Sequence, residues 1–192
     1  MNSTKAYHKL KKKEDFALIV AKGFKKSAPA DKHWMGEGIY FFVDPNGLKW
    51  AYMWPFARNL ANSYSWEGIL SIEVDCTQCL DLTDNDMREA VRGLVQVFKQ
   101  KLIETGEKYS DGVAFAYMFR TEMFKDILGE IPSSIKADFD KALISFRDQN
   151  SNVFHTVSEH KTGDSAQIQL CVLDASVLDF KKLELYKKPP IL

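Results

Sequence analysis

Cysteine and long apolar runs are both scarce in this chain of 192 residues, and each scarcity excludes a class of protein. The three cysteines are an odd number and do not form the even framework of a small disulfide-stapled domain. No apolar run approaches the roughly 18 residues of a membrane span. The N-terminus lacks the apolar core of about 7–15 residues that marks a secretory signal. We therefore expect a reduced, cytoplasmic protein with no membrane partner.

An excess of charge of either sign is also missing. Lys plus Arg and Asp plus Glu both number 26, so the formal net charge is zero. Such a balance gives no general attraction to nucleic acid or to an anionic membrane. Seven lysines are nevertheless crowded near the N-terminus, and they are typical either of a solvated helix face or of a surface that docks phosphate groups. These are Lys9, Lys11, Lys12, Lys13, Lys22, Lys25 and Lys26.

The residues that could bind a metal ion do not have the spacing of a metal site. Cys76 and Cys79 form one C-x-x-C with no second pair and no nearby histidine, whereas structural zinc sites need four ligands. His155 and His160 enclose Glu159, but an i, i+5 spacing does not fit a helical metal site. We therefore expect no metal.

The apolar pattern and the length predict a single α+β domain over residues 1–192. Strands are predicted at 5–9, 39–43, 69–75, 153–157, 166–173 and 183–186, with a further short extended stretch at 80–83. Helices are predicted at 14–22, 48–60, 85–105, 113–124 and 135–146. Because the strands lie near both ends of the chain, we interpret residues 84–150 as a helical insertion between the strands of one central sheet.

The most distinctive stretch is a glycine turn that leads into a strand. Gly36 and Gly38 bracket Glu37, and an apolar run from Ile39 to Val43 follows. Glycine permits positive φ and lets another backbone or a ligand approach closely. Tyr40, near the start of the strand, can present a flat ring to whatever lies over the turn. Alone, Gly-x-Gly is equally typical of an ordinary tight turn.

The order of motifs along the chain resembles the His-Tyr-Glu type of ADP-ribosyltransferases, which includes the poly(ADP-ribose) polymerases and many small bacterial toxins. Tyr7-His8 matches the family's histidine strand, and Gly36 to Phe42 matches its Gly-x-Gly-Ile-Tyr-Phe stretch. Trp50-Ala51 and the strand near residue 70 follow in the family's order. The resemblance covers roughly residues 6–83 well and 165–185 loosely. It implies an ADP-ribosyltransferase-like split central β-sheet and NAD as co-substrate.

The resemblance also implies a role for each matching residue. His8 would bond a ribose hydroxyl, and the backbone of Lys9 would bind the nicotinamide carboxamide, although the family usually has glycine there. Gly38 would belong to the cofactor-binding turn, and Tyr40 would stack on the nicotinamide ring. The family's late-strand glutamate is matched by Gln169, with Gln167 as the alternative on the same face.

A glutamine at that position orients a ribose hydroxyl but brings no charge to stabilise the cationic transition state. Three alternatives follow. A single ADP-ribose is transferred to a target that is itself a good nucleophile, another acid such as Glu37, Glu73 or Glu159 enters the site, or the domain binds NAD without turnover. Elongation into poly(ADP-ribose), which in the family depends on the carboxylate, is not expected.

The function implied by the resemblance is therefore NAD-dependent mono-ADP-ribosyl transfer to a macromolecular target, which is RNA, DNA or protein. Several small bacterial members of the family act as toxins that a partner neutralises. A toxin or phage-defence role and an antitoxin protein partner are accordingly among the expectations. The alternative is a catalytically inactive module that binds NAD, ADP-ribose or a partner through the same cleft.

Overall fold

The computed structural model describes residues 2–12, 14–27, 35, 37–57, 64–104, 106, 118, 125, 129–138 and 167–186. Its strands are β1 (Ser3–Lys11), β2 (Ile39–Val43), β3 (Tyr64–Asp75), β4 (Cys79–Asp81), β5 (Ser134–Asp138), β6 (Ile168–Val172) and β7 (Leu178–Tyr186). Its α-helices are α1 (Phe16–Lys22), α2 (Gly47–Ala57) and α3 (Asn85–Glu104). A 3-10 turn at Ala175–Val177 precedes β7.

The seven strands of the described residues form one mixed sheet in the order β4-β5-β6-β2-β1-β3-β7. Only β4 and β5 run parallel; each other pair of neighbours is antiparallel. The predicted α+β class is therefore confirmed. The three strands that carry His8, Tyr40 and Gln169 are β1, β2 and β6, and they are adjacent at the centre of the sheet.

Each face of the sheet is covered by different helices, and side-chain alternation decides which residues meet them. On one face, here called the α2/α3 face, Val91 and Val95 of α3 pack on Ile135 and Cys171. On the same face Ala51 of α2 contacts a second cluster around Phe42. On the opposite face, the α1 face, Ile19 packs against Leu10 and Leu70.

The helix ends follow local sequence signals. The Asp15 side chain accepts a hydrogen bond from the backbone N–H of Ala17 at 2.9 Å, which caps the start of α1. Gly23 ends α1 at φ 76°, a left-handed conformation that glycine adopts without steric cost. At the start of α3, the Asp84 carboxylate accepts from the N–H of Met87 at 2.8 Å. These signals explain why both predicted helices are confirmed, although the first begins at Phe16 and not at residue 14.

The predicted helix at 135–146 is wrong over its first four residues. Residues 134–138 form strand β5, which pairs with β4 on one side and β6 on the other. Ile135 and Ala137 are buried under α3, and this partnership between distant segments overrides the weak local pattern. The segment 84–150 is thus not wholly helical, because it contributes both α3 and a sheet strand.

Several other predictions fall on residues outside the described ranges. These are the strand at 153–157, the residues Lys13, Gly36, His155, Glu159 and His160, and nearly all of the helix at 113–124. Met118, from that predicted helix, is described and is buried in the cluster with α3. Among the helices that the structure describes, none combines the length and apolar character needed to cross a membrane.

Close backbone contact, not a positive φ, is what requires glycine at position 38. The φ of Gly38 lies outside the left-handed region. A Cβ built on Gly38 would lie 2.3 Å from the Sγ of Cys171 and 2.7 Å from the carbonyl oxygen of Val172. The absent side chain therefore allows the start of β2 to lie against β6.

Gly38→Ala should lower the free energy of unfolding by about 1–3 kcal/mol, because the new methyl group clashes with β6 backbone as well as with a sulfur atom. Gly93→Ala is the matched control. It lies on the exposed side of α3 with no atom within 4 Å of the added Cβ. This control should raise stability by about 0.5–1 kcal/mol. Urea unfolding of the three proteins measures both values, and a Gly38→Ala protein as stable as wild type would contradict the packing described.

Candidate functional site

Tyr40 and the two candidate glutamines lie on the same face of the sheet. In the β2–β6 ladder Tyr40 pairs with Cys171, and Phe42 pairs with Gln169. Since paired residues share a face and alternate residues return to it, Tyr40 and Gln169 both belong to the α2/α3 face. Gln167 is two residues before Gln169 and has the same parity. The exposed fractions of Gln167 and Gln169 are 2% and 4%, so both amides are buried beneath the helices.

His8 lies on the opposite face. Tyr7 pairs with Phe42 on the α2/α3 face, so the next residue along β1 points to the α1 face. There the His8 ring makes edge-to-face contacts with Phe24 and Phe41, at centroid distances of 5.3 Å and 5.7 Å. The structure thus places Tyr40 and both glutamines on one face of the sheet, with Gln169 nearer to Tyr40 along the ladder than Gln167, and places the His8 side chain on the other face.

Both ring nitrogens of His8 already face protein oxygen atoms. Nδ1 is 2.9 Å from the carbonyl oxygen of Tyr40, and Nε2 is 3.4 Å from the carboxylate of Glu14. Burial raises the pKa of Glu14, but hydrogen bonds from His8 and from the Lys11 N–H outweigh it and leave the pKa below its usual value. The charged Glu14 carboxylate holds one edge of the His8 ring in place. The Nδ1 atom on the other edge of the ring connects β1 to the backbone of β2.

The ladder between β1 and β2 stops at the site. β1 pairs with β2 at Ala6 and Tyr7 alone, whereas its ladder with β3 continues through Lys9. On the other side, β2 pairs with β6 from Ile39 to Phe42. In place of a further strand pair, the His8 ring donates to the Tyr40 carbonyl group. The two central strands therefore part beside His8 and Lys9, and we call this place the β1–β2 opening.

Lys9 is buried on the same face as Tyr40. Continuing the Tyr7–Phe42 register by two residues would put Lys9 opposite Tyr40. Its side chain is 7% exposed, and its Nζ lies 5.7 Å from the centroid of the Tyr52 ring in α2. Burial lowers the pKa of Lys9, because an ammonium ion loses hydration there. The prediction that Lys9 belongs to an exposed lysine patch is therefore wrong, although Lys11, Lys12, Lys22, Lys25 and Lys26 are exposed.

The Tyr40 side chain is uncharged, and a hydrogen bond holds its ring in one position. Its hydroxyl oxygen accepts a hydrogen bond from the backbone N–H of Met35 at 3.2 Å, which connects the ring to the preceding turn. Burial raises the pKa of Tyr40 above its usual value, and burial likewise raises the pKa of the neighbouring Cys171 thiol to about 12. Neither group is a nucleophile at neutral pH in this environment.

Of the three acids considered from the sequence, the structure describes two. Glu37 lies two residues before β2, and its Oε1 atom is buried. In the β1–β3 ladder Glu73 pairs with Lys5. Lys9, at the opening, pairs with Ile69, which is four residues from Glu73 along β3. Four residues of strand span roughly 13 Å, so Glu73 is remote from Tyr40 along the sheet. Glu37 is therefore the described acid nearest in sequence to the β1–β2 opening.

Sequence reasoning missed three residues that the fold adds to this region, namely Glu14, Tyr52 and Cys171. Tyr52 lies in the aromatic run of α2, which the sequence indicates to be core packing, and Trp50, Tyr52 and Trp54 indeed pack against the Phe42 cluster. The contact of Tyr52 with Lys9 depends on tertiary structure. The pairing of Glu14 with His8 could have been predicted from the sequence, because an acid near a histidine on an adjoining element often pairs with it.

Comparison with known proteins gives one similarity and no functional assignment. The chain is 26% identical over 195 residues to "Uncharacterized protein MJ0359" of Methanocaldococcus jannaschii, and the match covers 94% of this chain and 86% of that protein. No protein-family model matches the chain. No solved structure matches it either. The similarity therefore extends over nearly the whole of both proteins, while the chemistry has to be argued from the site.

Proposed function

We propose that the protein is an NAD-dependent mono-ADP-ribosyltransferase whose β1–β2 opening receives the nicotinamide group. The reaction breaks the bond between nicotinamide and ribose through a transition state with oxocarbenium character. The protein must therefore hold the amide, fix the ring and stabilise developing positive charge.

The observation that carries this proposal is the end of the β1–β2 ladder beside Lys9 and Tyr40. A primary carboxamide has one carbonyl acceptor and an N–H₂ donor, which are the groups that a strand backbone complements. At the opening, β1 has left its ladder with β2, so its backbone can pair with a ligand amide in place of a strand. Such pairing is independent of the residue's side chain, and therefore the lysine at position 9 is compatible with it.

Tyr40 and Gln169 fit the remaining demands on the α2/α3 face. The Tyr40 ring is held at its hydroxyl by Met35 and lies in the strand next to the opening. A ring fixed in this way can stack on nicotinamide without losing rotamer freedom on binding. The Gln169 amide has both a donor and an acceptor for ribose hydroxyl groups.

The Lys9 ammonium group is the main electrostatic obstacle, because oxidised nicotinamide is itself cationic. Burial lowers the pKa of Lys9, and its Nζ lies 5.7 Å from the centroid of the Tyr52 ring in α2, which is a cation–π partner for the ammonium group. Glu37 would supply the negative charge that Gln169 lacks. Its carboxylate comes from the turn directly before β2, the strand that carries Tyr40.

Exposed lysines around α1, on the side of the sheet opposite Tyr40, would attract a polyanionic acceptor to the protein. Lys22 at the end of α1 and Lys25 just after it are exposed, and so are Lys181 and Lys182 of the neighbouring strand β7. Clustered lysines neutralise phosphates without reading sequence. We therefore propose a nucleic acid as the target, with protein as the alternative acceptor. A neutralising antitoxin would then cover the same basic surface.

Incubation of the protein with adenylate-labelled NAD and a bacterial lysate should transfer label to nuclease-sensitive material. Tyr40→Ala should reduce transfer at least tenfold, because the ring that stacks on nicotinamide is lost. Tyr40→Phe should retain a larger share of the wild-type transfer. Tyr186→Phe, on the edge strand β7, is the matched control and should be fully active. Circular dichroism confirms that each variant is folded.

Label that resists nuclease but is lost to protease would identify a protein acceptor. Equal transfer by wild type and Tyr40→Ala, with both proteins folded, would contradict the assignment of Tyr40 to the site.

A second function, binding of NAD or ADP-ribose without turnover, is favoured by two specific observations. Gln169 provides no carboxylate, and the His8 ring is held on the α1 face by Tyr40 and Glu14. Under this alternative NAD raises the unfolding temperature while no nicotinamide is released. Measuring both quantities in one sample separates the two functions.

Gln169→Glu should increase nicotinamide release from NAD by roughly 10- to 100-fold, because a carboxylate would now stabilise the developing cation. Gln167→Glu is the matched control, since it introduces the same charge at a similarly buried amide two residues away. An increase in Gln167→Glu instead would assign the position to Gln167. No increase in either folded variant would contradict the idea that a glutamine replaces the catalytic carboxylate.

A further inference from the structure

The C-x-x-C sequence lies in a tight turn between β3 and β4, away from the β1–β2 opening. The backbone N–H of Cys79 donates to the carbonyl oxygen of Cys76 at 3.2 Å, which closes a four-residue turn. In such a turn the first and last Cα atoms are less than about 7 Å apart, and disulfides span Cα distances of roughly 4.4–6.8 Å. The backbone of the turn therefore has the spacing that a disulfide requires.

Both cysteine side chains point to the same side of the turn. Cys76 and Cys79 are half-buried, and both pack against the hydrophobic cluster on the α1 face that contains Ile72 and Val74. Each thiol is close enough to the other to shift its pKa. The remaining cysteine, Cys171, is fully buried on the other face of the sheet.

The turn is held in place from two sides. The N–H of Cys76 donates to the carbonyl of Asn2 at 2.7 Å. The carbonyl of Gln78 accepts from the N–H of Ser133 at 2.9 Å and from its hydroxyl at 3.1 Å. With these anchors outside the thiols, the backbone can keep one conformation in both the dithiol and the disulfide form.

The position of Ser134 beside Cys79 gives the two sulfur atoms different surroundings. It pairs with Cys79 across the β4–β5 ladder and is fully buried. Apart from the thiol contact, its Oγ has no hydrogen-bond partner within the described part of the chain. A thiolate at Cys79 would accept from this hydroxyl, and a buried hydroxyl is more stable when it donates to an anion than when it has no acceptor.

The charges around the pair act in both directions. A hydrogen bond from Cys76 lowers the pKa of Cys79, and burial opposes this shift; Ser134 and Lys136 lower it further, whereas Asp81 raises it. The hydrogen bond to Cys79 and burial raise the pKa of Cys76, as does Asp75. Lys136 forms an ion pair with Asp81 at 2.5 Å, two residue pairs further along the same ladder. Cys79 is thus the better nucleophile of the two.

We propose that Cys76 and Cys79 are a reversible redox dithiol, in which Cys79 attacks an external disulfide and Cys76 resolves the product. The deprotonated Cys79 sulfur attacks one sulfur of a low-molecular-weight disulfide, whose S–S bond breaks, and the released thiolate takes up a proton. Cys76 then loses its proton and attacks the Cys79 sulfur, and the second thiolate leaves. Two protein thiols are oxidised, and one disulfide is reduced to two thiols.

The inference does not rest on the proposed ADP-ribosyl transfer. The experiment treats the full chain with oxidised glutathione, then alkylates free thiols in denaturant and digests with trypsin. Cys76 and Cys79 share the tryptic peptide of residues 59–88. In the wild type this peptide should lose two hydrogen atoms and carry neither glutathione nor alkyl group, while Cys171 should remain fully alkylated.

Two serine variants assign the roles of the sulfur atoms. Cys76→Ser should accumulate glutathione on Cys79, because the resolving thiol is gone. Cys79→Ser should be modified at Cys76 at least tenfold more slowly. Faster modification at Cys76 would overturn the assignment of the attacking sulfur. Wild type in which residues 59–88 stay reduced, or carry glutathione without losing two hydrogens, would overturn the dithiol itself.

Discussion

The antiparallel pairing of β2 with β6 is the constraint on which the site depends. It aligns Tyr40 with Cys171 and Phe42 with Gln169, and a shift by one residue would move each of these side chains to the other face. Gly38 permits this alignment, because any side chain there would meet β6 at the level of Cys171 and Val172. The glycine of the turn is thus part of the packing that sets the register, whatever else it does for a ligand.

The same register explains the unusual distribution of polar groups. Lys9, Gln167 and Gln169 are all buried on the α2/α3 face, where Tyr40 also lies. Buried polar groups cost free energy unless they are satisfied, and a lysine with a lowered pKa is an expensive core residue. A core selected for stability alone would place apolar side chains there, so this concentration of polar groups on one face of the sheet is consistent with the proposed binding role.

The elements with strong local signals were predictable from the sequence. Gly23 ends α1, the apolar spacing of Val91, Val95 and Phe98 identifies α3, and alternating residues identify β6. Strand β5 was not predictable, because Ile135 and Ala137 become strand residues only through pairing with β4 and β6. For the candidate site, the sequence did not show which face of the sheet each residue would occupy. His8 and Lys9 are neighbours in β1, so alternation sends their side chains to opposite sides, and the His8 contacts with Glu14 and Tyr40 arise from tertiary structure.

The central claim is that the β1–β2 opening binds the nicotinamide end of NAD. Amide hydrogen exchange with and without saturating NAD tests it directly, because a ligand amide that pairs with the β1 backbone slows exchange locally. The account predicts protection at residues 8–10 and 38–41, with little change in β5, which lies two strands from β2. Unchanged exchange at residues 8–10 with NAD demonstrably bound, or protection confined to other strands, would contradict the account.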